Sequence, residues 1–399
     1  MSQPIFSADN PYRAPEADFT VADLEARGVV PERLERLLSR AGQEVEQELL
    51  GAVQVALAKD GVVVCLRSFG QAVSTSLFSI FSATKAITSA LVWQLLERGD
   101  LKLEDPVVRF IPEFGTNGKE AVTVLHLLTH TAGFPLAPFR PLDWDDRERR
   151  LGRFAQWRLT WPPGSQFEYH PTATMWVLAE LIERVGGADF RDQLRQRVLD
   201  PLGLPRFYVG RVPASETGIL DCEAVGEPLT GEDYARLGMP EPPAGEVTDE
   251  VILNFNRPEV RAVGVPGGGG VCGAGELALF YQALLPGGTA ETIVDPALLK
   301  QARTVHSGEL RDPLFRKLAN RGLGLVVAGD RERTFRGFGK SCSEVTFGHN
   351  GAGGQLAWAD PTTGLSLAYL TSGHDRNPVR QASRGVAISS LAADCTRPL

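Results

Sequence analysis

The chain has 399 residues, of which 43% are hydrophobic and 23% are charged, a composition typical of a soluble globular protein. A formal net charge of −8 disfavours a phosphate-binding surface, so we expect no nucleic-acid partner. No stretch approaches the roughly 18 consecutive apolar residues that span a bilayer, so we expect no membrane partner either.

The N-terminal residues and the cysteines favour a cytoplasmic location. The opening segment MSQPIFSADN lacks the basic and then apolar run of a secretory signal. The cysteines are odd in number, scattered and without a Cys-x-x-Cys pair, which argues against a disulfide framework or a zinc site; they are Cys65, Cys222, Cys272, Cys342 and Cys395. We therefore expect isolated thiols in a reducing compartment, and neither a metal nor a cofactor.

The first 70 residues predict an irregular arm, helix and then a β-hairpin. Residues 1–20 show no period, and apolar positions at helical spacing over 21–48 predict one or two amphipathic helices. The β-rich runs Val53–Leu57 and Val62–Leu66 are joined through Asp60-Gly61, which is typical of a tight hairpin.

The middle of the chain is mainly helical. A helix is predicted from Ser82 to Glu97, with Gly99 placed to end it. Residues 101–160 are Pro-rich and mixed, and residues 205–270 are rich in Gly and Pro and predict loops and short elements. Further helices are predicted at about 123–130, 172–186, 189–199 and 275–285.

The end of the chain returns to strand patterns before a terminal helix at about 378–392. Strands are predicted at 322–328, 345–347, 355–359 and 365–370. Because strands lie at both ends and helices between them, we predict an α+β fold, an α/β sandwich. One antiparallel sheet is flanked by N- and C-terminal helices and carries an inserted, mainly helical lobe.

We predict one catalytic domain over residues 1–399. Its mixed α/β lobe comprises about 20–80 and 300–399, and its mainly helical lobe comprises about 81–299. A site is expected in the groove between the lobes, where ligand pockets commonly occur.

The strongest candidate nucleophile is the serine of Ser82-Ala83-Thr84-Lys85, since no Gly-x-Ser-x-Gly elbow, His-Glu-x-x-His motif or P-loop is present. Residues i and i+3 share a helix face, so the hydroxyl and the ammonium can meet. A helix N-terminus supports negative charge on the serine, and burial of the lysine lowers its pKa until it can accept the serine proton. The alternative is that Ser82 caps a helix and Lys85 is exposed.

The surroundings of Ser82 favour the catalytic alternative. Lys85 is the one lysine with a serine three residues before it, and the apolar run 77–81 leads directly into Ser82. A lysine one turn beyond such a run is expected to be partly desolvated.

Three blocks now carry a family resemblance: Phe81-Ser82-Ala83-Thr84-Lys85-Ala86-Ile87-Thr88, Leu101-Lys102-Leu103-Glu104-Asp105-Pro106-Val107, and His126-Leu127-Leu128-Thr129-His130-Thr131-Ala132-Gly133-Phe134-Pro135. In order and spacing they resemble the class C β-lactamase family, which also contains serine carboxylesterases, D-amino-acid peptidases and acyltransferases. The resemblance covers roughly residues 50–399. It implies a β-lactamase/transpeptidase-like fold with Ser82 and Lys85 in catalytic roles.

The second motif of this family is Tyr-x-Asn after Pro-Gly, and Pro163-Gly164 followed by Tyr169-His170-Pro171 resembles it. The resemblance implies that Tyr169 acts as general base toward Ser82 and general acid toward the leaving group. A packed loop tyrosine is the alternative. The departure is Pro171 in place of the asparagine, which puts β-lactam or peptide turnover in doubt. His170 either binds substrate or hydrogen-bonds the loop.

The third motif, His-x-Gly in many esterase and peptidase relatives, resembles His349-Asn350-Gly351. The resemblance implies that these three residues line the substrate pocket, and that the backbone N–H groups of Ser82 and Ala352 form an oxyanion hole. The alternative is a bare Gly-rich turn.

The histidines at 126 and 130 have a spacing that can bind metal, but they belong to a block that resembles a structural segment of the family.

The expected reaction is hydrolysis of a small carboxylic ester through an acyl-enzyme on Ser82. The missing asparagine and the absent signal favour an esterase. The alternatives are a β-lactamase, a D-aminopeptidase or amidase, an acyltransferase, and a non-catalytic binding protein. Acyl and alcohol preference and oligomeric state leave no readable pattern, and loops 136–160 and 205–265 are expected to shape the pocket.

Overall fold

Strands from both ends of the chain meet in one antiparallel sheet in the computed structural model, which describes residues 6–238 and 248–396. The strands are β1 (Phe19–Thr20), β2 (Ala52–Lys59), β3 (Val62–Gly70), β4 (Leu77–Ser79), β5 (Tyr208–Val209), β6 (Ile219–Leu220), β7 (Glu223–Val225), β8 (Gly270–Cys272), β9 (Val326–Val327), β10 (Phe347–Gly348), β11 (Leu356–Asp360), β12 (Leu365–Thr371) and β13 (Gly373–Asp375). The large sheet has the order β1-β3-β2-β12-β11-β10-β9. The predicted antiparallel sheet is therefore confirmed.

The hairpin at the centre of this sheet follows from two residues. Strands β2 and β3 pair antiparallel, and the loop between them consists of Asp60, with φ of 54°, and Gly61, with φ of 78°. Positive φ at both loop positions is the requirement of the tight turn that matches the twist of the flanking strands. Asp-Gly satisfies it at little cost, which is why the prediction from this dipeptide is confirmed.

Most of the α-helices lie between β3 and β9 along the chain, together with the short strands β4 to β8, and the N- and C-terminal helices flank the sheet. The α-helices are α1 (Pro31–Glu46), α2 (Thr84–Glu97), α3 (Val124–Leu128), α4 (Arg147–Gln156), α5 (Ala173–Gly186), α6 (Phe190–Leu194), α7 (Gly231–Arg236), α8 (Asp249–Leu253), α9 (Pro258–Val263), α10 (Ala274–Ala283), α11 (Pro296–Ala302) and α12 (Pro378–Ala393). A single α-helix, α1, occupies the segment where one or two were predicted. The segment predicted as helix 189–199 is α6 continued by a π-helix at Arg195–Leu199.

The period of two along β2 explains how the layers stack. Val53, Val55 and Leu57 face the core shared with α1 and α12, whereas the alanines at 52, 56 and 58 face the larger core that contains α10. Small residues on that second face let α10 lie close against the sheet. The N- and C-terminal helices thus cover one face of the sheet, as predicted, and the helical part of the chain covers the other.

Two predicted elements differ in the structure. Helix α4 lies inside the segment predicted to be irregular. Asp146 caps it by accepting the Arg149 N–H, a signal obscured by the charged and Pro-rich surroundings. A strand was predicted over 322–328, but only Val326 and Val327 pair with β10 and form β9.

The predicted loop 205–265 includes residues 239–247, which lie outside the described residues. Across 6–238 and 248–396, no helix has the length and apolar character needed to cross a membrane.

Candidate active site

Ser82 lies at a sharp turn between β4 and α2. Phe81 to Ala83 form one 3₁₀ turn, and α2 begins at Thr84. The helix was predicted to begin at Ser82, so the structure places this serine in the turn just before the helix. Phe81 has φ of 45°, an uncommon conformation for a bulky residue, and its ring packs edge-on against Phe255 at 5.5 Å between centroids. This packing holds the strained turn, and the turn leaves Ser82 partly exposed.

Lys85 is fully buried and its ammonium has three hydrogen-bond acceptors. Nζ lies 3.3 Å from Ser82 Oγ, 2.6 Å from the carbonyl oxygen of Pro171 and 2.8 Å from that of Gly267. Burial lowers the pKa of Lys85; the nearby Tyr169 opposes this shift and the Arg321 cation adds to it. The Ser-x-x-Lys spacing thus brings the two side chains together, and the apolar run before Ser82 correctly predicted a desolvated lysine.

The two carbonyl partners of Lys85 explain two features that the sequence left open. Pro171 lacks the side-chain amide of the family motif, yet its main-chain oxygen accepts a hydrogen bond from Lys85. Gly267, the first residue of the four-glycine run, contributes the other carbonyl. A Cβ on Gly267 would lie 2.9 Å from Cγ of Met175 and 3.3 Å from Nζ of Lys85, so a glycine there allows the close approach. The sequence predicted only loops and short elements over 205–270 and did not connect Gly267 with Lys85.

Tyr169 completes the cluster around the serine. Its hydroxyl donates to Ser82 Oγ at 2.8 Å, and Lys85 Nζ lies 5.1 Å from the centre of its ring. Ser82 Oγ therefore receives hydrogen bonds from both the phenol and the ammonium. The three residues predicted to be catalytic meet within hydrogen-bond distance, although 87 residues separate Tyr169 from Ser82 along the chain.

Two buried histidines hold the main chain on either side of Tyr169. The carbonyl oxygen of His130 accepts the Glu168 N–H at 3.3 Å, and Nδ1 of His130 accepts the His170 N–H at 3.2 Å. The ring of His130 also lies against that of Tyr169, with 4.7 Å between centroids. Burial holds the pKa of His130 well below its usual value, with the Arg321 cation acting in the same direction, so the ring stays neutral and Nδ1 stays an acceptor.

His170 uses both ring nitrogens within this loop. Nε2 accepts the Phe134 N–H at 3.1 Å, and Nδ1 lies 2.7 Å from the carbonyl oxygen of Glu168. Burial lowers the pKa of His170 to about 3, although its bond to Glu168 opposes the shift. Of the two roles considered for His170, this geometry favours hydrogen bonding of the loop over contact with substrate.

The third motif approaches the serine turn through a glycine. A Cβ on Gly351 would overlap the carbonyl oxygen of Ile80, so only a glycine lets this segment pass so close to the turn. Gln355 anchors the segment: its carbonyl accepts the Gly351 N–H at 2.9 Å and its amide donates to the Ser79 carbonyl at 3.1 Å. Among the described residues, no protein group accepts the N–H of Ser82 or of Ala352. Both predicted oxyanion donors are thus available to a ligand.

The side chains of His349 and Asn350 lie in this segment with different partners. The amide of Asn350 donates to the Gly337 carbonyl at 3.0 Å and its oxygen accepts the Ala357 N–H at 3.3 Å, so it braces the segment. Nδ1 of His349 bonds to the Asn350 carbonyl at 2.8 Å, and its buried Nε2 has no partner within the described part of the chain. Burial, followed by the Lys85 and Arg321 cations, holds the pKa of His349 well below its usual value. The His349 and Tyr169 ring centroids are 6.0 Å apart.

Arg321 is a site residue that sequence reasoning missed. Its guanidinium lies over the rings of Phe167, at 5.1 Å, and Tyr169, at 5.3 Å. Its local sequence, Asn320-Arg321-Gly322, carries no catalytic pattern, and Tyr169 lies far away along the chain. Only the fold brings this cation to the site.

The histidine pair that could bind a metal by its spacing is used otherwise. Nδ1 of His126 accepts the Thr123 N–H at 3.1 Å and so caps α3. His130 lies beyond the end of that helix, with φ of 59°. Within residues 6–238 and 248–396, no group of three or more His, Cys, Asp or Glu side chains is arranged to hold a metal ion.

Comparison with known proteins gives the same family from three directions. The sequence matches the family described as beta-lactamase over residues 34–391. It is 26% identical over 323 residues to "Esterase/beta-lactamase LipL" of Mycobacterium tuberculosis, covering 73% of this chain and 68% of that protein. It is 27% identical to "Esterase EstB" of Burkholderia gladioli, and the match covers 90% of this chain and 94% of that protein. A penicillin-binding protein homologue from Caulobacter crescentus has 27% identity and a TM-score of 0.72, covering 92% of this chain and 99% of that chain.

Proposed function

The chain belongs to the β-lactamase family of serine hydrolases, and from that premise we propose that it is a serine carboxylesterase acting on small esters through an acyl-enzyme on Ser82. One observation carries the proposal: Ser82 Oγ, partly exposed, accepts hydrogen bonds from both the Tyr169 hydroxyl at 2.8 Å and the Lys85 ammonium at 3.3 Å. An activated nucleophile needs a proton acceptor at such a distance; because burial lowers the pKa of Lys85, the pair can lose a proton to solvent and then accept the proton of Ser82.

The proposed reaction has two steps. Once the pair formed by Tyr169 and Lys85 has lost one proton to solvent, Ser82 attacks the ester carbonyl while its proton passes to that pair, and the oxyanion lies between the N–H groups of Ser82 and Ala352. Two such donors in a water-poor site stabilise an oxyanion by several kcal/mol. Tyr169 then protonates the departing alcohol oxygen. In the second step, water attacks the acyl carbonyl and gives a proton to the same pair, which passes it to Ser82 Oγ as the bond to the acyl group breaks and the carboxylic acid departs.

The choice of an ester rests on the residue at 171. Proline offers only its carbonyl, and that carbonyl is occupied by Lys85. An amide or β-lactam substrate therefore finds no side-chain amide at this position, whereas an ester has no N–H or amide carbonyl that needs one. EstB is described as an esterase, which is consistent with this choice, and LipL is described as an esterase/beta-lactamase.

We propose a cytoplasmic location for this activity. All five cysteines are buried free thiols, which supports a reducing compartment.

The experiment compares p-nitrophenyl acetate, a p-nitroanilide and nitrocefin as substrates of the wild type, Ser82→Ala and Ser89→Ala. Ser89 lies further along α2 with a buried hydroxyl that has no hydrogen-bond partner within the described part of the chain, so it serves as a matched control. We expect ester hydrolysis to fall by at least about a thousandfold in Ser82→Ala and to persist in Ser89→Ala. Wild-type rates in Ser82→Ala contradict the mechanism, and a higher kcat/KM for nitrocefin than for the ester favours a β-lactamase.

A further inference from the structure

The two proposed oxyanion donors lie on separate parts of the chain, so their spacing depends on how these parts are joined. The N–H of Ser82 lies in the turn that follows β4, whereas that of Ala352 begins the 3₁₀ turn Ala352–Gly354. A pair of donors stabilises an oxyanion only when both point at the position that the oxygen takes in the transition state. The contacts between these two segments therefore bear directly on the proposed chemistry.

Gln355 is the buried side chain that connects the two segments. Its Nε2 donates to the carbonyl oxygen of Ser79 at 3.1 Å, although 276 residues separate the two along the chain. Its main-chain carbonyl accepts the Gly351 N–H at 2.9 Å and closes the loop 351–355, which contains the second oxyanion donor. Among the described residues, no second hydrogen bond joins this loop to residues 77–83.

The central sheet fixes the position of the Gln355 amide. Nε2 donates a second hydrogen bond to the Thr371 carbonyl at 2.8 Å, and Oε1 accepts the Thr371 N–H at 2.8 Å. Thr371 is the last residue of β12, so the amide pairs with this strand much as a neighbouring strand would. A primary amide has two N–H donors, and both are used here. The sheet thus holds the amide, and the amide holds the carbonyl of Ser79.

The packing between the two segments is tight enough to transmit a small shift. A Cβ on Gly351 would overlap the carbonyl oxygen of Ile80 and lie 3.1 Å from Cγ of Gln355. Gly351 is therefore enclosed between the serine turn on one side and the glutamine side chain on the other. Because Ile80 precedes Ser82 by two residues, a displacement of the amide changes the separation of the Ser82 and Ala352 N–H groups.

We propose that Gln355 is a positioning residue of the oxyanion hole, whose amide sets the distance between the Ser82 and Ala352 N–H groups. This inference rests on the proposed function, since it concerns the oxyanion formed on a carbonyl substrate. The side chain is buried and both of its N–H donors are used, so it acts through the segments that it joins and not by contact with substrate. Its loss is expected to lower kcat and to change KM little.

The test compares p-nitrophenyl acetate with its thiono analogue, in which sulfur replaces the carbonyl oxygen. Sulfur accepts hydrogen bonds weakly, so donors placed for an oxyanion accelerate the oxygen ester far more than the thiono ester. We expect Gln355→Met to lower the ratio of the two kcat/KM values by about ten- to a hundredfold relative to the wild type. Gln355→Asn keeps the amide on a shorter side chain, and its ratio is expected to lie between those of the wild type and Gln355→Met.

Gln282→Met is the matched control, because Gln282 is another buried glutamine that bonds to β12. Its Nε2 donates to the Gly364 carbonyl at 3.2 Å, and its Oε1 accepts the Ser366 hydroxyl at 3.0 Å. These bonds lie at the opposite end of β12 from Thr371, so we expect this variant to keep the wild-type ratio whatever its unfolding midpoint. If Gln355→Met lowers its midpoint and both rates equally, so that the ratio is unchanged, then Gln355 only stabilises the fold and the proposal is overturned.

Gln355→Asn carries the same comparison if Gln355→Met does not fold. Inactivation by paraoxon and by parathion is measured in parallel, since each transfers its phosphoryl or thiophosphoryl group to Ser82 Oγ with departure of p-nitrophenolate. If neither ester is cleaved but the Gln355 variants selectively slow the reaction with paraoxon, then the proposed esterase function fails and the role of Gln355 stands. If the ester is cleaved through Ser82 and neither oxygen-to-sulfur ratio depends on Gln355, then the esterase stands and the role of Gln355 fails.

Discussion

His130 is expected to place Tyr169 against Ser82, and substitution of this histidine tests that role. His130→Ala removes the acceptor of the His170 N–H, while the main-chain bond from Glu168 to the carbonyl of residue 130 can remain. Because His130 is buried, the His170 N–H is left without a partner, which costs about 1–3 kcal/mol. The φ of 59° strains histidine and alanine alike, so the backbone adds little to the difference. We therefore expect a loss of roughly 1–3 kcal/mol in the free energy of unfolding.

The effect on catalysis is expected to differ from the effect on stability. With one of its two flanking anchors gone, Tyr169 can shift from its 2.8 Å contact with Ser82, and a displacement of about 1 Å costs on the order of a hundredfold in rate. Binding of a neutral ester does not depend on this contact, so the loss appears in kcat and little in KM. His130→Asn is expected to recover part of the rate, because asparagine tolerates the left-handed conformation and its side-chain oxygen can accept the His170 N–H.

The assay measures kcat and KM for p-nitrophenyl acetate well below the unfolding midpoint, with that midpoint followed by circular dichroism. His306→Ala is the control, since among the described residues the His306 ring bonds to the Gln301 carbonyl, and alanine keeps the main-chain N–H that bonds to the Arg321 carbonyl. If His130→Ala lowers the midpoint but keeps kcat within threefold of wild type, then His130 stabilises the fold and does not position Tyr169. Equal losses in His130→Ala and His130→Asn also refute the reasoning.

Two further predictions concern a buried acid and the motif departure. Burial raises the pKa of Glu276 from 4.5 to about 7. The contribution of this residue to the free energy of unfolding is therefore complete below pH 4.5, where its carboxyl is protonated, and is lost as the pH rises through 7 and the buried carboxyl ionises. Urea unfolding at pH 5 and pH 8 should show that Glu276→Gln removes about 3 kcal/mol of this pH dependence; an unchanged difference between the two pH values contradicts it. Pro171→Asn adds a side-chain amide beside Lys85 and is expected to raise nitrocefin turnover relative to p-nitrophenyl acetate by about five- to tenfold. An unchanged ratio shows that residue 171 does not select against β-lactams.

Local spacing explains which parts of the site were predictable. Ser82 and Lys85 are three residues apart, so one turn of chain brings them together whatever the rest of the fold does. The hairpin at Asp60-Gly61 is local in the same sense. Tyr169 was found because its motif resembles one in a known family, since no local rule connects it to a serine 87 residues away.

The remaining contacts depend on main-chain groups and long-range packing, neither of which has a residue-type pattern. The carbonyls that hold Lys85 come from 86 and 182 residues further along the chain, and any residue type carries a carbonyl. Arg321 is one of many arginines in a chain with 41 basic residues, so nothing in its own sequence distinguishes it. Both were predictable only from the three-dimensional structure.

Residue 171 shows why a departure from a motif need not mean a loss of chemistry. If the asparagine side chain of the motif were needed to hold the lysine, then a proline there would leave Lys85 without support. In this structure two main-chain carbonyls accept its hydrogen bonds, and no side-chain substitution at 171 removes a carbonyl. The lysine therefore keeps its position, its burial and its contact with Ser82. Proline removes a side-chain amide, so on the proposed function we expect the departure to change which acyl compounds are processed while it leaves the nucleophile in place.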